Sequence, residues 1–256
     1  MNPPTSPPPL AADLEAGLKR LKLATIRRQA PDVLLTAKTQ RWTPEETLRV
    51  LVDAEIAARD ESNTRHRMTA ARFPVIKTLD EFNLDETSIP RAGHDYLVTL
   101  DWIRRADNLC LVGPAGTGKT HYLIALGRAA VEAGYRVRYF TAIELVEWLY
   151  RALADNTVAP AIETVCRNDL IIIDEIGFAP LDHTGCQHLF RLIAAAYERR
   201  SVAIASHSPF EKWGRFLPDQ PTAVSLLDRL CHHAHIITTS GNSYRLTHRT
   251  TRGGDT

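Results

Sequence analysis

The segment at residues 113–120 reads GPAGTGKT and fits the pattern G-x-x-x-x-G-K-[ST] of a phosphate-binding loop. Glycines in such a loop let the backbone bring N–H groups close to phosphate oxygens, which also face the positive end of the following helix dipole. Lys119 is expected to reach the β- and γ-phosphates, and the Thr120 hydroxyl is expected to ligate magnesium. The predicted nucleotide-binding residues are Gly113, Pro114, Ala115, Gly116, Thr117, Gly118, Lys119, Thr120 and His121.

A second motif follows further along the chain, where the apolar run 170–173 ends in adjacent carboxylates, Asp174 and Glu175. Asp174 is expected to hold magnesium, directly or through water, and Glu175 is expected to polarise the attacking water. The adjacent glutamate favours ATP hydrolysis over small-molecule kinase chemistry, for which no acceptor-binding motif stands out. The alternative for the first motif is a chance glycine turn, and the alternative for the second is a strand that merely ends in two acidic residues. The pair of motifs favours bound ATP and Mg²⁺ over both.

Strand-like apolar segments alternate with segments of helical periodicity around these motifs. This alternation predicts an α/β fold with a parallel sheet and helices on both faces, in which ligands bind beyond the carboxyl ends of the strands. The phosphate-binding loop and Asp174 both fall at such ends. The predicted strands span 108–112, 136–140, 169–174, 201–206, 235–239 and 243–247, and the predicted helices span 91–105, 119–133, 142–154, 158–166, 183–199, 209–214 and 221–232.

The N-terminal part is predicted to be a small all-helical module. Helical periodicity runs from Leu10 to about Gln29, and a second helix is expected from Thr43, with a capping box to Glu46, to about residue 71. The predicted organisation is a disordered Pro-rich tail at 1–9, a helical module at 10–75, a linker at 76–90, an ATPase domain at 91–248 and a disordered tail at 249–256.

Composition limits the choice of partners and compartment. The net charge of +1 gives no strong global attraction to nucleic acid or to anionic membranes, so any such surface must be local. The sequence has neither an apolar run of transmembrane length nor a secretory signal, which predicts a cytoplasmic protein without a membrane partner. The four cysteines are scattered singly and are interpreted as reduced thiols.

Three further positions could contribute to a phosphate site. His207, or secondly Ser206, follows a predicted strand and could orient the water or sense the γ-phosphate, although a solvated loop histidine is as good a reading. Arg229, on a predicted helix, could reach the γ-phosphate of a neighbouring subunit, although the residues alone favour an ordinary solvated arginine. The histidines at 232, 233 and 235 lack the spacing of a metal site.

The chain closely resembles the IstB family, the ATP-binding helper proteins of insertion-sequence transposases within the AAA+ superfamily. It is more distantly similar to the DnaC helicase loaders and the DnaA initiators. The resemblance covers nearly the whole chain apart from its proline-rich start and its TTRGGDT end. It rests on the N-terminal helical module and on the strings FPVIKTLDEF, GPAGTGKTHYLIALG, GYRVRYFTAIELV, DLIIIDEIGFAPLD, SPFEKWGRF, LLDRLCHHAHII and GNSYRL.

The resemblance implies an initiator-like AAA+ core with nucleotide bound between subunits of a homo-oligomer. Lys119 and Thr120 carry over as Walker A residues, Asp174 and Glu175 as Walker B residues, and Arg229 as the arginine that acts across the subunit interface. It also implies largely sequence-nonspecific binding of duplex DNA and delivery of target DNA to a partner transposase. The helical segment near 142–166 would then line the DNA path.

One position departs from the family pattern, and one assignment stays open. Family members usually carry T-S-N where this chain has Ala205-Ser206-His207, which predicts slower or more pH-dependent hydrolysis. A DnaC-like helicase loader and a non-hydrolysing nucleotide-switched adaptor remain alternatives to the transposition helper.

Basic residues of the N-terminal part are the candidate DNA contacts. Few aromatic residues lie among them, which favours contacts to phosphates over base stacking. Acidic residues share these helices, so two solvated amphipathic helices remain the alternative. The candidates are Lys19, Arg20, Lys22, Arg27, Arg28, Arg65, Arg67 and Arg72.

Overall fold

The computed structural model describes residues 7–241, which divide into two compact units. The first unit ends at His66 and the second begins at Arg67, within one long helix, whereas the boundary expected from sequence was near residue 75. The strand predicted at 243–247, the C-terminal tail and residues 1–6 lie outside the described residues.

The first unit contains α1 (Ala12–Arg20), α2 (Ala24–Gln40) and most of α3 (Pro44–Ala71). The prediction of one helix from Leu10 to Gln29 was wrong, because the chain turns after α1 and then forms a helix that continues to Gln40. At the turn, Lys22 adopts a left-handed φ of 57°, and the N–H of Leu23 donates to the carbonyl of Leu18. This is the hydrogen bond of a Schellman-type helix end.

The capping box predicted for α3 is confirmed. The backbone N–H of Glu46 donates to Thr43 Oγ1 at 3.2 Å, and the N–H of Thr43 donates to Glu46 Oε2 at 2.6 Å. Each side chain thus satisfies a donor that the helix start leaves unpaired. Pro44 occupies the first helical position, where its missing N–H costs nothing.

The second unit is built on five parallel strands among the described residues, in the order β2-β3-β4-β1-β5. The predicted parallel α/β architecture is confirmed. The strands are β1 (Asn108–Val112), β2 (Val137–Thr141), β3 (Leu170–Ile176), β4 (Ser201–Ser206) and β5 (Ala234–Thr238). The helices are α4 (Arg91–Val98), α5 (Asp101–Arg104), α6 (Lys119–Glu132), α7 (Ala142–Ala154), α8 (Val158–Val165), α9 (His183–Ala196) and α10 (Gln220–Cys231), with short 3₁₀ helices at Leu84–Glu86 and Phe210–Arg215.

One predicted helix of this unit divides into two. The segment predicted as a single helix at 91–105 forms α4 and α5, which are separated at Leu100. Leu100 has a left-handed φ of 60° and is buried, so its side chain packs in the core while its backbone breaks the helix. Packing has here overridden the continuous helical periodicity.

Two hydrophobic cores cover the two faces of the sheet. Successive side chains of a strand point to opposite faces, so Leu109 and Leu111 pack with α4, α5 and α6, whereas Cys110 packs with α7 to α10. In β3, Ile172 lies in the first core, and Ile171 lies in the second. Both faces are therefore buried by helices, which explains why the strands read as nearly continuous apolar runs.

The carboxyl ends of the strands converge at one edge of the sheet. Thr141 pairs with Asp174 across β2 and β3, and Val112 pairs with Ser206 across β1 and β4. The loop that follows β1 therefore lies beside the polar residues that end β3 and β4. No helix within residues 7–241 is long and apolar enough to cross a bilayer.

Candidate nucleotide-binding site

The predicted phosphate-binding loop connects β1 directly to α6, and its glycines hold conformations that other residues would strain. Gly118, at the N-terminus of α6, has a φ of +88°. A Cβ added at Gly113 would lie 2.1 Å from the carbonyl oxygen of Thr239. The N–H of Gly113 also donates to the carbonyl of Ser206 at 3.0 Å. The loop is thus held by the strand ends on both sides, and no side chain fits at its first glycine.

Lys119 lies inside this loop. Its Nζ donates to the carbonyl oxygens of Gly113 and Pro114, each at 2.6 Å. Burial lowers the pKa of Lys119, and the nearby carboxylate of Asp174 opposes that shift. The structure therefore brings the predicted Walker A lysine and Walker B aspartate within electrostatic reach of each other.

The remaining predicted residues of the loop differ in exposure. Pro114 and Ala115 are exposed, Gly116 and Thr120 are half-buried, and Thr117 is buried. Thr120 lies in the first turn of α6, next to Lys119. Its place at the start of the helix is the one that magnesium ligation requires, and its role stays a prediction.

Asp174 is buried, and both of its carboxylate oxygens are held. Oδ2 accepts a hydrogen bond from the Tyr139 hydroxyl at 2.9 Å, and Oδ1 accepts one from the N–H of Glu175 at 2.8 Å. Burial, and then the negative charge of Asp174, raise the pKa of Tyr139 well above its usual range, so Tyr139 acts as a donor. An aspartate with this fixed orientation and a threonine hydroxyl are hard oxygen donors, which fit Mg²⁺.

Glu175 points away from the core beside the buried Asp174. It is exposed and has a left-handed φ of 59°, and the pairing of β3 with β4 shifts register between Ile173 and Ile176. Strained backbone of this kind is concentrated at functional sites. The irregularity gives two consecutive carboxylates different surroundings, since Asp174 stays buried in the sheet while Glu175 is exposed to water.

The sequence put His207 before Ser206 as a candidate, but at the end of β4 it is Ser206 that lies inside the structure. Ser206 is buried, and its hydroxyl donates to the carbonyl of Ser208 at 2.9 Å and accepts from the N–H of Ser208 at 3.2 Å. His207 is exposed. Ser206 is thus the residue beside Gly113, and His207 projects from the turn that Ser206 supports.

Thr239 is a contributor that sequence reasoning missed. It follows β5, is 1% exposed, and its N–H donates to the carbonyl of Val112 at 2.7 Å. Its Oγ1 lies 2.7 Å from Oγ1 of Thr117 in the loop. A lone threonine after a strand carries no motif, so only the pairing of β5 with β1 could reveal this contact.

The segment expected to be a linker packs against the loop. The Phe82 ring lies 5.2 Å from the ring of His121, and a Cβ added at Gly118 would lie 3.2 Å from it. His121 Nε2 lies 3.3 Å from the carbonyl oxygen of Thr78, and burial lowers the pKa of His121. Part of residues 76–90 therefore forms a wall beside the start of α6.

Arg229 lies on α10 and is half-buried. Its guanidinium carbon lies 5.0 Å from the centroid of the Phe190 ring, and Nη1 donates to the carbonyl of Ser225 at 3.1 Å. These contacts hold the Arg229 side chain in one orientation. Its role across a subunit interface stays a prediction.

The candidate DNA-binding residues fall in both units. Lys19, Arg20, Lys22 and Arg28 are exposed around the α1–α2 turn, and Arg27 is half-buried. The carbonyl of Lys22 accepts a hydrogen bond from Arg59 at 2.9 Å, which adds a basic residue that the sequence analysis did not include. Arg65 is exposed and pairs with Glu61 on its own helix at 2.7 Å; Arg67 and Arg72 belong to the second unit.

The family model described as IstB-like ATP binding protein matches residues 16–252. The chain belongs to this family. It is 33% identical over 235 residues to the protein named as the ATP-binding protein of insertion sequence IS21 in Pseudomonas aeruginosa, which covers 91% of this chain and 89% of that protein. It is 32% identical over 228 residues to the protein named for insertion sequence IS5376 in Geobacillus stearothermophilus, covering 89% of this chain and 91% of that protein.

Two solved structures have a fold similar to that of this IstB-like chain. AMPPCP-bound DnaA from Aquifex aeolicus matches with a TM-score of 0.53 and 21% identity, over 66% of this chain and 51% of that one, so the chain spans about half the length of that DnaA. DnaI matches with a TM-score of 0.55 and 15% identity, over 64% of this chain and 91% of that one. The predicted α/β fold of the core is confirmed, and the family is one of ATP-binding proteins.

Proposed function

We propose that this IstB-like protein is a Mg²⁺-dependent ATPase that assembles with further copies on duplex DNA and presents that DNA to a partner transposase. The observation that carries the proposal is Lys119, whose amine lies inside the phosphate-binding loop within electrostatic reach of Asp174. A cation and a fixed carboxylate at one sheet edge are what a metal–triphosphate complex requires.

The positions of these residues support the following proposed roles in hydrolysis. Backbone N–H groups of the loop and Lys119 bind the phosphates, and Thr120 and Asp174 would hold magnesium, which neutralises phosphate charge when bound. Glu175, exposed next to Asp174, orients and polarises the attacking water. Ser206 supports the turn that carries His207, and His207 is proposed to orient the water or sense the γ-phosphate.

Contact with DNA is proposed for the basic residues around the α1–α2 turn. All but the half-buried Arg27 are exposed, and the net charge of the protein is only +1, so attraction to phosphates must come from such local groups. Both relatives described above are named for insertion sequences, which supports a transposase as the partner. Phosphate contacts carry no sequence information, so we propose binding with little sequence preference.

The decisive experiment measures duplex-DNA binding with and without ATP and magnesium, in wild type and in Lys119→Ala. Wild-type binding should strengthen with ATP and fall steeply with salt, and Lys119→Ala should lose the ATP dependence. Lys212→Ala, which changes an exposed lysine of the same unit, is the control and should behave as wild type. ATP-independent binding in the wild type would contradict the proposal.

The DNA surface has its own test. Each lost phosphate contact reduces the slope of log K against log salt by about 0.9, so replacing Lys19 and Arg20 by alanine should reduce it by about 2. Arg104→Ala, which changes an exposed arginine paired with Asp101, is the matched control. A slope that the double variant leaves unchanged would remove these residues from the interface.

Assembly through Arg229 is tested by mixing two inactive variants. Arg229→Ala supplies an intact phosphate-binding loop, and Lys119→Ala supplies an intact Arg229. If Arg229 acts on a neighbouring subunit's nucleotide, the mixture should regain part of the ATPase activity that each variant lacks alone. An arginine that acts within its own chain would give no recovery.

A DnaC-like helicase loader is the second candidate. A loader should bind a replicative helicase, whereas a transposition helper should bind duplex DNA without one. A non-hydrolysing switch is excluded if Glu175→Gln abolishes turnover while retaining ATP binding. Unchanged turnover in this variant would mean that Glu175 does not activate the water.

A further inference from the structure

Two histidines at the end of α10 lie beside a glutamate from a different part of the chain. His233 Nε2 is 3.6 Å from Glu198 Oε1, and His232 Nδ1 is 4.0 Å from the same oxygen. One ligand atom from each of the three residues lies within 4.8 Å of the other two. The histidines alone lacked the spacing of a metal site, because the third donor precedes β4 and is distant in sequence.

The backbone fixes Glu198 in place. After α9 ends, the carbonyl of Ala196 accepts hydrogen bonds from the N–H groups of both Arg199 and Arg200, at 2.9 and 2.8 Å. Glu198 lies inside this tight turn with a left-handed φ of 54°. Its carboxylate is thereby presented toward the end of α10.

The histidines are also held by ordered backbone. The N–H of His232 donates to the carbonyl of Asp228 at 3.1 Å, which continues the last turn of α10. The carbonyl of His233 accepts from the N–H of Asn108, the buried first residue of β1, at 2.7 Å. The donors are therefore attached to the sheet and to a helix end.

The donor set suits a zinc-class transition metal. Imidazole nitrogens and a carboxylate oxygen bind Zn²⁺ at about 2.0–2.2 Å, which in a tetrahedron places ligand atoms roughly 3.3–3.6 Å apart. The observed 3.6 and 4.0 Å require only small side-chain movements. All three residues are exposed, so water can complete the coordination.

We propose that Glu198, His232 and His233 form a binding site for Zn²⁺ or a similar transition-metal ion, separate from the Mg²⁺–nucleotide site. Magnesium prefers oxygen ligands, so this nitrogen-rich site discriminates against it. The Tyr197 hydroxyl lies 2.8 Å from His232 Nδ1, so this nitrogen must give up that hydrogen bond when it binds the metal. Removing the hydroxyl therefore strengthens metal binding.

The test is calorimetric titration of the full chain with Zn²⁺ in the absence of nucleotide. Wild type is expected to bind Zn²⁺ at this site. His233→Ala and Glu198→Gln should each bind one Zn²⁺ ion fewer per chain than wild type, or bind Zn²⁺ at least tenfold more weakly. His235→Ala is the matched control, because His235 pairs with Asp107 and lies outside the cluster. Tyr197→Phe should bind Zn²⁺ more tightly than wild type.

Because the three side chains are exposed, the variants are expected to fold, and circular dichroism without metal checks this. Wild-type titration curves for both His233→Ala and Glu198→Gln would overturn the proposal. Loss of zinc binding in His235→Ala equal to that in His233→Ala would overturn it as well. Displacement of the bound zinc by millimolar magnesium would contradict the predicted selectivity.

Discussion

The buried hydroxyl of Tyr139 donates a 2.9 Å hydrogen bond to Oδ2 of Asp174. The two residues lie on adjacent strands, since β2 pairs with β3 in parallel. The other carboxylate oxygen accepts from the N–H of Glu175, so Asp174 has one orientation in the sheet edge. A residue that no motif identifies thereby positions the aspartate proposed to hold magnesium.

We expect Tyr139→Phe to weaken the apparent affinity for magnesium in ATP turnover by about tenfold, because removing a group that orients a metal ligand typically lowers metal affinity by this amount. The free energy of unfolding should fall by about 1.5–3 kcal/mol, because a buried carboxylate loses a charge-assisted hydrogen bond. Magnesium titrations of turnover and urea unfolding measure both. Tyr135→Phe, which changes a half-buried tyrosine that precedes β2, is the control, and equal effects in the two variants would contradict this role.

Thr239→Val should weaken ATP binding about fivefold without unfolding the protein. The substitution keeps the shape and removes the hydroxyl that contacts Thr117 in the loop, a bond with a net value of about 1 kcal/mol. Titration with a fluorescent ATP analogue measures the affinity. Thr238→Val changes the exposed neighbour on β5 and should bind as wild type does; a loss in that variant would point to β5 as a whole.

Gly113→Ala and Gly17→Ala should have opposite effects on stability. An added methyl at Gly113 would collide with Thr239 at 2.1 Å, so we expect lower stability and no measurable ATP binding. At Gly17, within α1, an added methyl meets no described atom within 4 Å apart from its chain neighbours and the backbone of its own helix, and alanine should stabilise by about 0.5–1 kcal/mol. Thermal unfolding and ATP titration of both variants check this, and a Gly113→Ala protein that binds ATP normally would contradict the loop geometry.

His207→Asn should raise ATP turnover severalfold. The amide restores the group usual in the family, and its hydrogen-bond geometry differs from that of an imidazole. Steady-state turnover measures the effect. His66→Asn, an exposed histidine of the first unit, is the control. An unchanged rate would show that His207 takes no part in turnover.

Glu55→Gln should make the first unit less sensitive to acid. Glu55 Oε2 accepts hydrogen bonds from the N–H groups of Thr25 and Ile26 at the start of α2, and these bonds, chiefly that of Ile26, lower the pKa of Glu55. A lowered folded pKa means that the stabilisation is complete above the unfolded pKa of about 4.3 and is lost as pH falls through the folded pKa. Glutamine removes that dependence.

The measurement is unfolding followed by helical circular dichroism between about pH 3 and 7. Wild type should exceed Glu55→Gln in stability at neutral pH, and the difference should shrink below about pH 4.3. Glu45→Gln, which changes an exposed glutamate of the same helix paired with Arg49, is the control. A difference between wild type and Glu55→Gln that is constant with pH would contradict the assignment.

The local motifs could be located from the amino-acid sequence. The phosphate-binding loop, the carboxylates 174–175, the capping box at Thr43 and the alternation of strands and helices each depend on neighbouring residues. Such signals report backbone conformations that a short segment adopts wherever it occurs. They were sufficient for the α/β fold and for the edge of the sheet where a nucleotide would bind.

The failures came where distant residues decide local structure. The continuous periodicity through Leu21–Leu23 predicted one helix, but the carboxylate of Glu55 from α3 caps a new helix, α2, after the turn. Leu100 likewise breaks the helix predicted at 91–105 because its side chain is buried. Propensity along the chain cannot register a partner that lies thirty or more residues away.

The sequence by itself therefore determined where the candidate nucleotide-binding residues lie, since GPAGTGKT and Asp174-Glu175 are each contiguous motifs. Only the tertiary structure decided which residues position these motifs. Tyr139 hydrogen-bonds Asp174, Thr239 contacts Thr117, and Ser206 rather than His207 is buried. The physical reason is strand register. Parallel strands that are far apart in the chain meet residue by residue only after the sheet has formed.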